Sequence, residues 1–435
     1  MVNISNSKKL LKRAKKIMPH QTGTFSRAAS ANVEGVYPTY AEEGNGSHFR
    51  DVDGNDYVDY LCGLGPITLG YNYKKVNDAI INQLKKGILF SLPSKVEIEL
   101  SELISNSIPN AEMVKFEKSG SNAVTAAVRA ARFLTKRDKI AYCGSGGVWH
   151  DWQAAMVSRD GGVPSFNREL ISVFEYNDIE GLEQIFEDNP EKIGAIVLEP
   201  TTYQKPTKQF LSKVRKIADQ NGAILILDEI VTGFRFDFQG AQKYFGIKGD
   251  MVCFGKGMGN GLPISAITGK TEFMKSFDKL WVSSTNNSEA LSLAGSKVVI
   301  EEMVEKKTIP YCWNIGNNLF NGWNKIAEDY GINAKLIGYP IRMKLECYDS
   351  KNNYSNSLKS LILQEMVNNG NFISHGPMFI SYSHTEEDIK FTLNSFEKTC
   401  KKISSIKNEN FIKYLDGKLP QTIWTMKISP TRKNQ

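Results

Sequence analysis

The chain has no long apolar run. No stretch approaches the roughly 20 consecutive apolar residues of a membrane helix, so no membrane is expected as a partner. Its six cysteines, Cys62, Cys143, Cys253, Cys312, Cys347 and Cys400, contain no CxxC pair. That spacing argues against a zinc site and a disulfide framework, and for a reducing, cytoplasmic setting. The five histidines are equally scattered and none falls in an HExxH pattern, so no catalytic metal is expected. Internal repeats and low-complexity tracts are missing too. Excess charge is small: 54 basic against 47 acidic residues give +7. Much of it lies in KKLLKRAKKI, beginning at Lys8, where Leu10, Leu11, Ala14 and Ile17 have helical spacing. Such a helix can touch a membrane or nucleic acid, but the plainer reading is a solvated helix packed on the body of the protein. Nucleic acid has no other support as a partner. The N-terminal region has neither the apolar core nor the small-residue cleavage site of a secretion signal.

What is present is a soluble, globular composition, 41% hydrophobic and 23% charged over 435 residues. That length exceeds one ordinary core and predicts at least two lobes. In HFRDVDGNDYVDYLCG, Asp53-Gly54-Asn55 reads as a turn between short strands at 49–52 and 56–60. From about Val76 into the 300s, helical patterns alternate with the apolar runs KIAYCG (139–144), LISVFEY (170–176), GAIVLEP (194–200), AILILDEI (223–230) and DMVCFGKG (250–257). Such runs describe buried parallel strands in an α/β layered domain. Near Lys306–Pro310 the rhythm changes to that of a smaller α+β lobe, with strand candidates IRMKLECY (341–348) and MFISYS (378–383). The polar tail beyond Ser404 is expected to wrap back on the body. The domain reading is therefore 1–75, 76–305 and 306–435.

Four segments carry chemistry. In AILILDEIVTGFR, Ile224 to Leu227 run straight into Asp228, so its carboxylate sits at the carboxyl end of a buried strand, where doubly wound sheets bind ligands. A carboxylate there is costly unless something positive meets it; a protonated pyridine nitrogen would, and so would leave the ring a better electron sink. The plain alternative is a strand-end Asp capping a helix. In FGKGMGNGLPISAITG, Lys256 follows the apolar Met251 to Phe254 and lies between Gly255 and Gly257. A lysine that forms an imine must lose its proton readily and approach a bulky ring, and flanking glycines leave room. Alternatively it belongs to a surface loop. In KSGSNAVTAAVRAAR, Ser119, Gly120 and Ser121 precede strong helix formers, as in an anion site at a helix N-terminus or an ordinary N-cap. In WVSSTNNSEALSLAG, Thr285 and its neighbouring hydroxyls also precede a helix and would add phosphate donors.

These pieces, in this order, resemble class-III aminotransferases that use pyridoxal 5'-phosphate, especially the glutamate-1-semialdehyde 2,1-aminomutase subgroup. The likeness spans nearly the whole chain; LDEIVTGFR followed by GKGMGNGLPISAITG is highly specific, and GSHFRDVDGNDYVDYLCGLGPITLGY, Glu199–Pro200 and YSHTEEDI are further echoes. It implies fold type I: a large domain with a mostly parallel seven-stranded sheet flanked by helices, and a smaller α+β domain built from both ends of the chain. It implies that Lys256 carries the cofactor as a Schiff base and moves the proton, that Asp228 pairs with the ring nitrogen, and that Ser119, Gly120 and Ser121 hold the phosphate. Thr285 would reach the phosphate of a neighbouring subunit in a homodimer with shared active sites. Glu199 would lie near the ring and Ile230 or Val231 against its face. Arg27, in TGTFSRAAS, falls where the aminomutase has an arginine for the substrate carboxylate, a role suited to a guanidinium fork; a lone arginine is otherwise simply solvated.

Two departures stand out. The family usually has an aromatic followed by His-Gly after the strand ending near Cys143, and that aromatic stacks on the cofactor. Here the stretch reads YCGSGGVWHDW, with Trp149, His150 and Trp152 just beyond the expected place. One of these swings in, or the ring is covered differently; Trp149 and His150 join Arg27 as candidate substrate contacts. The usual acid after the phosphate-loop Gly-Ser/Thr is Asn122. These surroundings favour amino transfer between an amino donor and a carbonyl acceptor, and look closer to relatives in surface-polysaccharide or modified-sugar pathways. The internal amino shift of the aminomutase is the alternative, and a non-catalytic cofactor-binding homologue is a third.

Overall fold

The computed structural model describes residues 2–144, 147, 149–406 and 410–421. The chain divides into two compact units, one drawing on residues up to Tyr73 and from Pro310 onward, the other on Lys74–Ile309.

The Lys74–Ile309 unit is built on a seven-stranded sheet. Its strands are β1 (Met113–Glu117), β2 (Lys139–Cys143), β3 (Ile171–Val173), β4 (Ile193–Leu198), β5 (Ile224–Glu229), β6 (Met251–Phe254) and β7 (Ser265–Gly269). They lie in the order β1-β7-β6-β5-β4-β2-β3. Neighbours from β6 through β3 are parallel, and only β7 runs against its partners β6 and β1. Every residue of β4 and β6 is buried, as a parallel strand covered on both faces requires. The helix Gly120–Thr135 buries Ala123, Ala126, Ala127, Ala130 and Ala131. These small side chains bring it close to a core shared with Ile140, Val197, Ile226, Met251, Cys253 and Ile267. Burying each of the larger apolar side chains contributes roughly 1.5–3 kcal/mol.

The other unit has two small sheets. His48–Asp51 and Asp56–Asp59 pair as an antiparallel hairpin, with Ala41–Asn45 outside them and Asn371–Phe372 joining in parallel. In the hairpin turn, Asp51 Oδ1 accepts from the N–H groups of Asp53 and Asn55, at 2.9 Å each. A second sheet contains Ala334–Tyr339, Arg342–Cys347 and Pro377–Phe379. Over these, the helices Thr308–Asp329 and Glu386–Ser404 stack Trp323 on Phe396, with ring centroids 3.5 Å apart. The N-terminal helix Ser5–Ile17 buries Ser7 and Ala14 and leaves Lys8, Lys9, Lys12, Arg13, Lys15 and Lys16 exposed. Its start is held by Asp53, which accepts from the N–H groups of Asn6 and Ser7. The tail does return: Phe411 is buried, and Lys418 N–H donates to Glu34 O at 3.0 Å. Among the described residues no helix is long and apolar enough to cross a membrane, and all six cysteines are free and buried.

Candidate active site

The parallel strands β6, β5, β4 and β2 deliver their carboxyl ends to one edge of the sheet. β6 leads into Gly255 and Lys256, β5 ends with Asp228 and Glu229, and β4 leads into Glu199, whose N–H donates to Cys143 O at the end of β2, 3.1 Å away. Asp228 stands beside Cys253 in the β5–β6 register. Unlike the four residues before it, it is only partly buried, and its Oδ1 accepts from Ile230 N–H at 3.1 Å. Burial, reinforced by the charge of Asp228, pushes the Cys253 thiol well up and keeps it protonated.

The phosphate-loop candidates reach the same edge through β1, which shares the direction of β6 across the intervening β7. Ser265 at the start of β7 donates its hydroxyl to Ser119 O at 2.8 Å. Ser119 is the N-cap of Gly120–Thr135: its Oγ accepts from Asn122 N–H at 3.2 Å and donates to Asn122 Oδ1 at 2.7 Å. Asn122 thus engages the cap through both its N–H and its side-chain oxygen. The cap leaves the N–H groups of Gly120 and Ser121 without intrahelical acceptors, as helix geometry demands, and the dipole there favours an anion. Ser121 also donates its hydroxyl to Gly147 O at 3.3 Å.

Ile230 joins the pieces. A Cβ placed on Gly120 would sit 2.8 Å from Ile230 Cγ2, and one on Gly255 would sit 3.1 Å from Ile230 Cδ1. Absence of side chains at those two positions lets the helix start, the end of β5 and the approach to Lys256 converge. Lys256 itself has φ of 38°, in the left-handed region, and opens the 3₁₀ turn Lys256–Gly259. A residue with a Cβ costs about 1–2 kcal/mol there, a cost that glycine at this point would avoid.

The class-III aminotransferase family model matches residues 29–399. The 3-aminobutyryl-CoA aminotransferase of Cloacimonas acidaminovorans (strain Evry) is 32% identical over 93% of this chain and 99% of its own length. The glutamate-1-semialdehyde 2,1-aminomutase of Alkaliphilus oremlandii (strain OhILAs) is also 32% identical, over 91% of this chain and 98% of its own. The chain belongs to the class-III aminotransferases. In fold it is similar to the FumI protein of Sphingopyxis sp. MTA144, solved in its pyridoxal-phosphate form, with TM-score 0.87, 22% identity and coverage of 95% and 98%.

Pyridoxal 5'-phosphate is the cofactor of this class-III enzyme family, and the glycine-lined cradle around Ile230 and the open helix start fit it. The departures in YCGSGGVWHDW narrow once placed. Trp152 is a core residue: it is buried, packs edge-on against Tyr142 and donates its indole N–H to Thr125 Oγ1 at 2.8 Å. It is therefore not available to cover a cofactor. Trp149 is 73% exposed and meets His150 edge-on. His150 Nδ1 lies 2.6 Å from Thr125 Oγ1, and burial lowers its pKa. Ser145, Gly146 and Val148 of this stretch lie outside the described residues.

Thr285 occupies an exposed turn ahead of the helix Ala290–Glu305, whose cap is Glu289 rather than a hydroxyl. Val231 is partly buried, and its carbonyl accepts from Arg235 Nε at 3.2 Å. Arg27 belongs to the other unit, where its Nη2 donates to Gly63 O at 2.8 Å. Sequence reasoning overlooked Glu229. Its carboxylate accepts from Thr232 Oγ1 (2.7 Å), Ala241 N–H (2.7 Å) and Gln242 N–H (2.6 Å), tying the segment after Asp228 to the short helix Ala241–Phe245. Burial, with the neighbouring Asp228 charge, pushes this carboxyl up to about 7 against those donors. The one signal was Gly240, whose φ of 89° suits glycine and where a Cβ would lie 2.7 Å from Glu229 Oε1.

Proposed function

We propose that this chain is an aminotransferase that moves an amino group between an amino donor and a carbonyl acceptor, with Lys256 as its covalent anchor for pyridoxal phosphate. The observation that carries this reading is the convergence of the Ser119–Ser121 helix start, Asp228 and the strained Lys256 around Ile230. When bound, the cofactor supplies an aldehyde for imine formation and a ring that withdraws electrons. The chain's residues do the rest. The N–H groups of Gly120 and Ser121 hold the phosphate, with Ser119 fixing their helix start. Asp228 would hold the proton of the ring nitrogen, and Ile230 or Val231, with Glu199, would line the ring's place. The Lys256 amine would take and return the substrate proton at its Nζ.

Arg27 is proposed for the substrate carboxylate, and Trp149 and His150 for the rest of the substrate. Replacing Arg27 by Ala is expected to raise KM for carboxylates more than it lowers kcat, in a steady-state comparison across carboxylate and non-carboxylate substrates. A homodimer is supported by the exposed apolar side chains Ile81, Leu84, Ile88, Leu89, Phe90 and Leu92, close together in sequence, since exposed apolar surface can mark association; Thr285 would serve the neighbouring phosphate in it. A cytoplasmic setting is supported by the free, buried cysteines, and a surface-polysaccharide or modified-sugar pathway rests on sequence likeness alone.

The second reading, an aminomutase, is favoured by the relatives that carry that name. A half-reaction screen separates the two. Amino donors are offered to the holoenzyme, then carbonyl acceptors, and the cofactor's absorbance is followed. Interconversion driven by a separate donor and acceptor supports transfer. Conversion of glutamate-1-semialdehyde with no external donor supports the internal shift, and no response to any amine supports a binder without catalysis.

A further inference from the structure

The strand ends account for Asp228 and Lys256, and the helix start accounts for the phosphate site, but these rest on different elements. Lys118 and Glu289, used by neither, connect them. Lys118 immediately precedes Ser119, and its Nζ lies 2.9 Å from Glu289 Oε2, with both side chains less than a fifth exposed. Glu289 is also the N-cap of Ala290–Glu305: its Oε1 accepts from Leu291 N–H at 2.6 Å, and its Oε2 from the Ser292 hydroxyl at 2.6 Å. Burial alone would raise this carboxyl, but the donors from Ser292 and Lys118 hold it below its ordinary value. Two turns further along, buried Ser296 donates its hydroxyl to Met258 O at 2.8 Å, inside the Lys256–Gly259 turn. A continuous path of charged and hydrogen-bonded contacts thus runs from the residue before the phosphate cradle, through one capped helix, to the turn that presents Lys256.

We propose that Lys118 and Glu289 are positioning residues that set the phosphate cradle against the Lys256 turn. The inference rests on the cofactor reading above. A phosphate anchor and an imine-forming amine must match one rigid molecule at two points, so a small slip between them costs affinity at both. The pair suits that role because half-shielded charges are held more firmly than surface ones, and removing one partner leaves the other poorly solvated. Its ammonium is already neutralised by Glu289, so Lys118 is not itself the phosphate's counter-charge.

The test uses the full chain with pyridoxal phosphate as the probe. Equilibrium affinity for the cofactor, the pH midpoint of its lysine-bound absorbance band, and the melting temperature of the cofactor-free protein are measured for Lys118→Gln, Lys118→Arg, Glu289→Gln and the double Lys118→Gln/Glu289→Gln. Expected are about a tenfold loss of affinity and a displaced midpoint for Lys118→Gln, recovery in Lys118→Arg, and a double variant far less impaired than the two single losses multiplied together. Cofactor-free melting should fall in the single variants, because one partner is left poorly solvated, but the affinity losses and the displaced midpoint should exceed what that fall accounts for. Affinity and midpoint unchanged in Lys118→Gln, or losses that multiply independently, would overturn the proposal while leaving the cofactor reading intact. Loss of affinity that simply follows lost thermal stability would also overturn it. A wild-type chain that binds no cofactor would instead remove the reading on which it rests.

Discussion

The backbone at Lys256 makes a prediction that needs no substrate. With φ of 38° it occupies the left-handed region, which costs a residue bearing a Cβ about 1–2 kcal/mol. Lys256→Gly relieves that cost, while the greater freedom of glycine in the unfolded chain takes back about 0.4–1 kcal/mol. Lys256→Ala keeps the Cβ and the strain. Because both variants lose the amine, comparing them with each other isolates the backbone from cofactor chemistry. In urea unfolding of cofactor-free protein, Lys256→Gly should be more stable than Lys256→Ala by roughly 1 kcal/mol, the difference of those two terms. The same pair of changes at exposed Lys216, inside the helix Phe210–Gln220, should give the opposite sign, with glycine worse by about 1 kcal/mol. Glycine no better than alanine at position 256 would refute the idea that strain is held at this residue for the sake of its side chain.

Other perturbations bear on neighbouring parts of the site. Asp228→Asn should lower turnover by about 10²-fold or more while the melting temperature stays near that of the parent, in single-turnover kinetics beside a thermal scan. Gly120→Ala pushes a Cβ to 2.8 Å from Ile230 Cγ2 and should destabilise by about 1–3 kcal/mol; adding Ile230→Val should recover part of it in the same unfolding assay. The Glu229 carboxyl, raised to about 7, binds a proton more readily in the folded state than in the unfolded. Its contribution to stability is therefore fullest below its ordinary value near 4.5 and is lost as pH rises through about 7. Glu229→Gln should flatten the dependence of unfolding free energy across that window, by up to about 3 kcal/mol for a shift of this size. A slope unchanged by the substitution would remove Glu229 as its source.

The central strands were legible because burial on both faces demands unbroken apolar runs. Ile224 to Leu227 and Met251 to Phe254 have no other plain use, and each points at its chemical residue. The edges were not. β1 reads MVKFE, with Met113 exposed and the burial mixed, and β7 is a short SAITG that follows a glycine-rich stretch. Ala334–Tyr339 breaks its alternation after three residues and carries a glycine near its end, and Ala41–Asn45 is polar almost throughout, so neither stands out from a loop. Within the site, Lys256 and Asp228 announced themselves by position, whereas Glu229 and the Lys118–Glu289 pair depend on contacts between segments far apart in sequence. Trp152 misled for the same reason: an aromatic near a ligand site reads alike whether it faces the ligand or the core, and only its bond to Thr125 decides.

The account rests on one covalent bond, and reduction tests it most directly. The purified holoenzyme is treated with borohydride, digested, and its peptides are weighed. A reduced cofactor adduct on the peptide containing Lys256, absent after Lys256→Ala, is the predicted result. An adduct on another lysine, or none on any peptide, would contradict it.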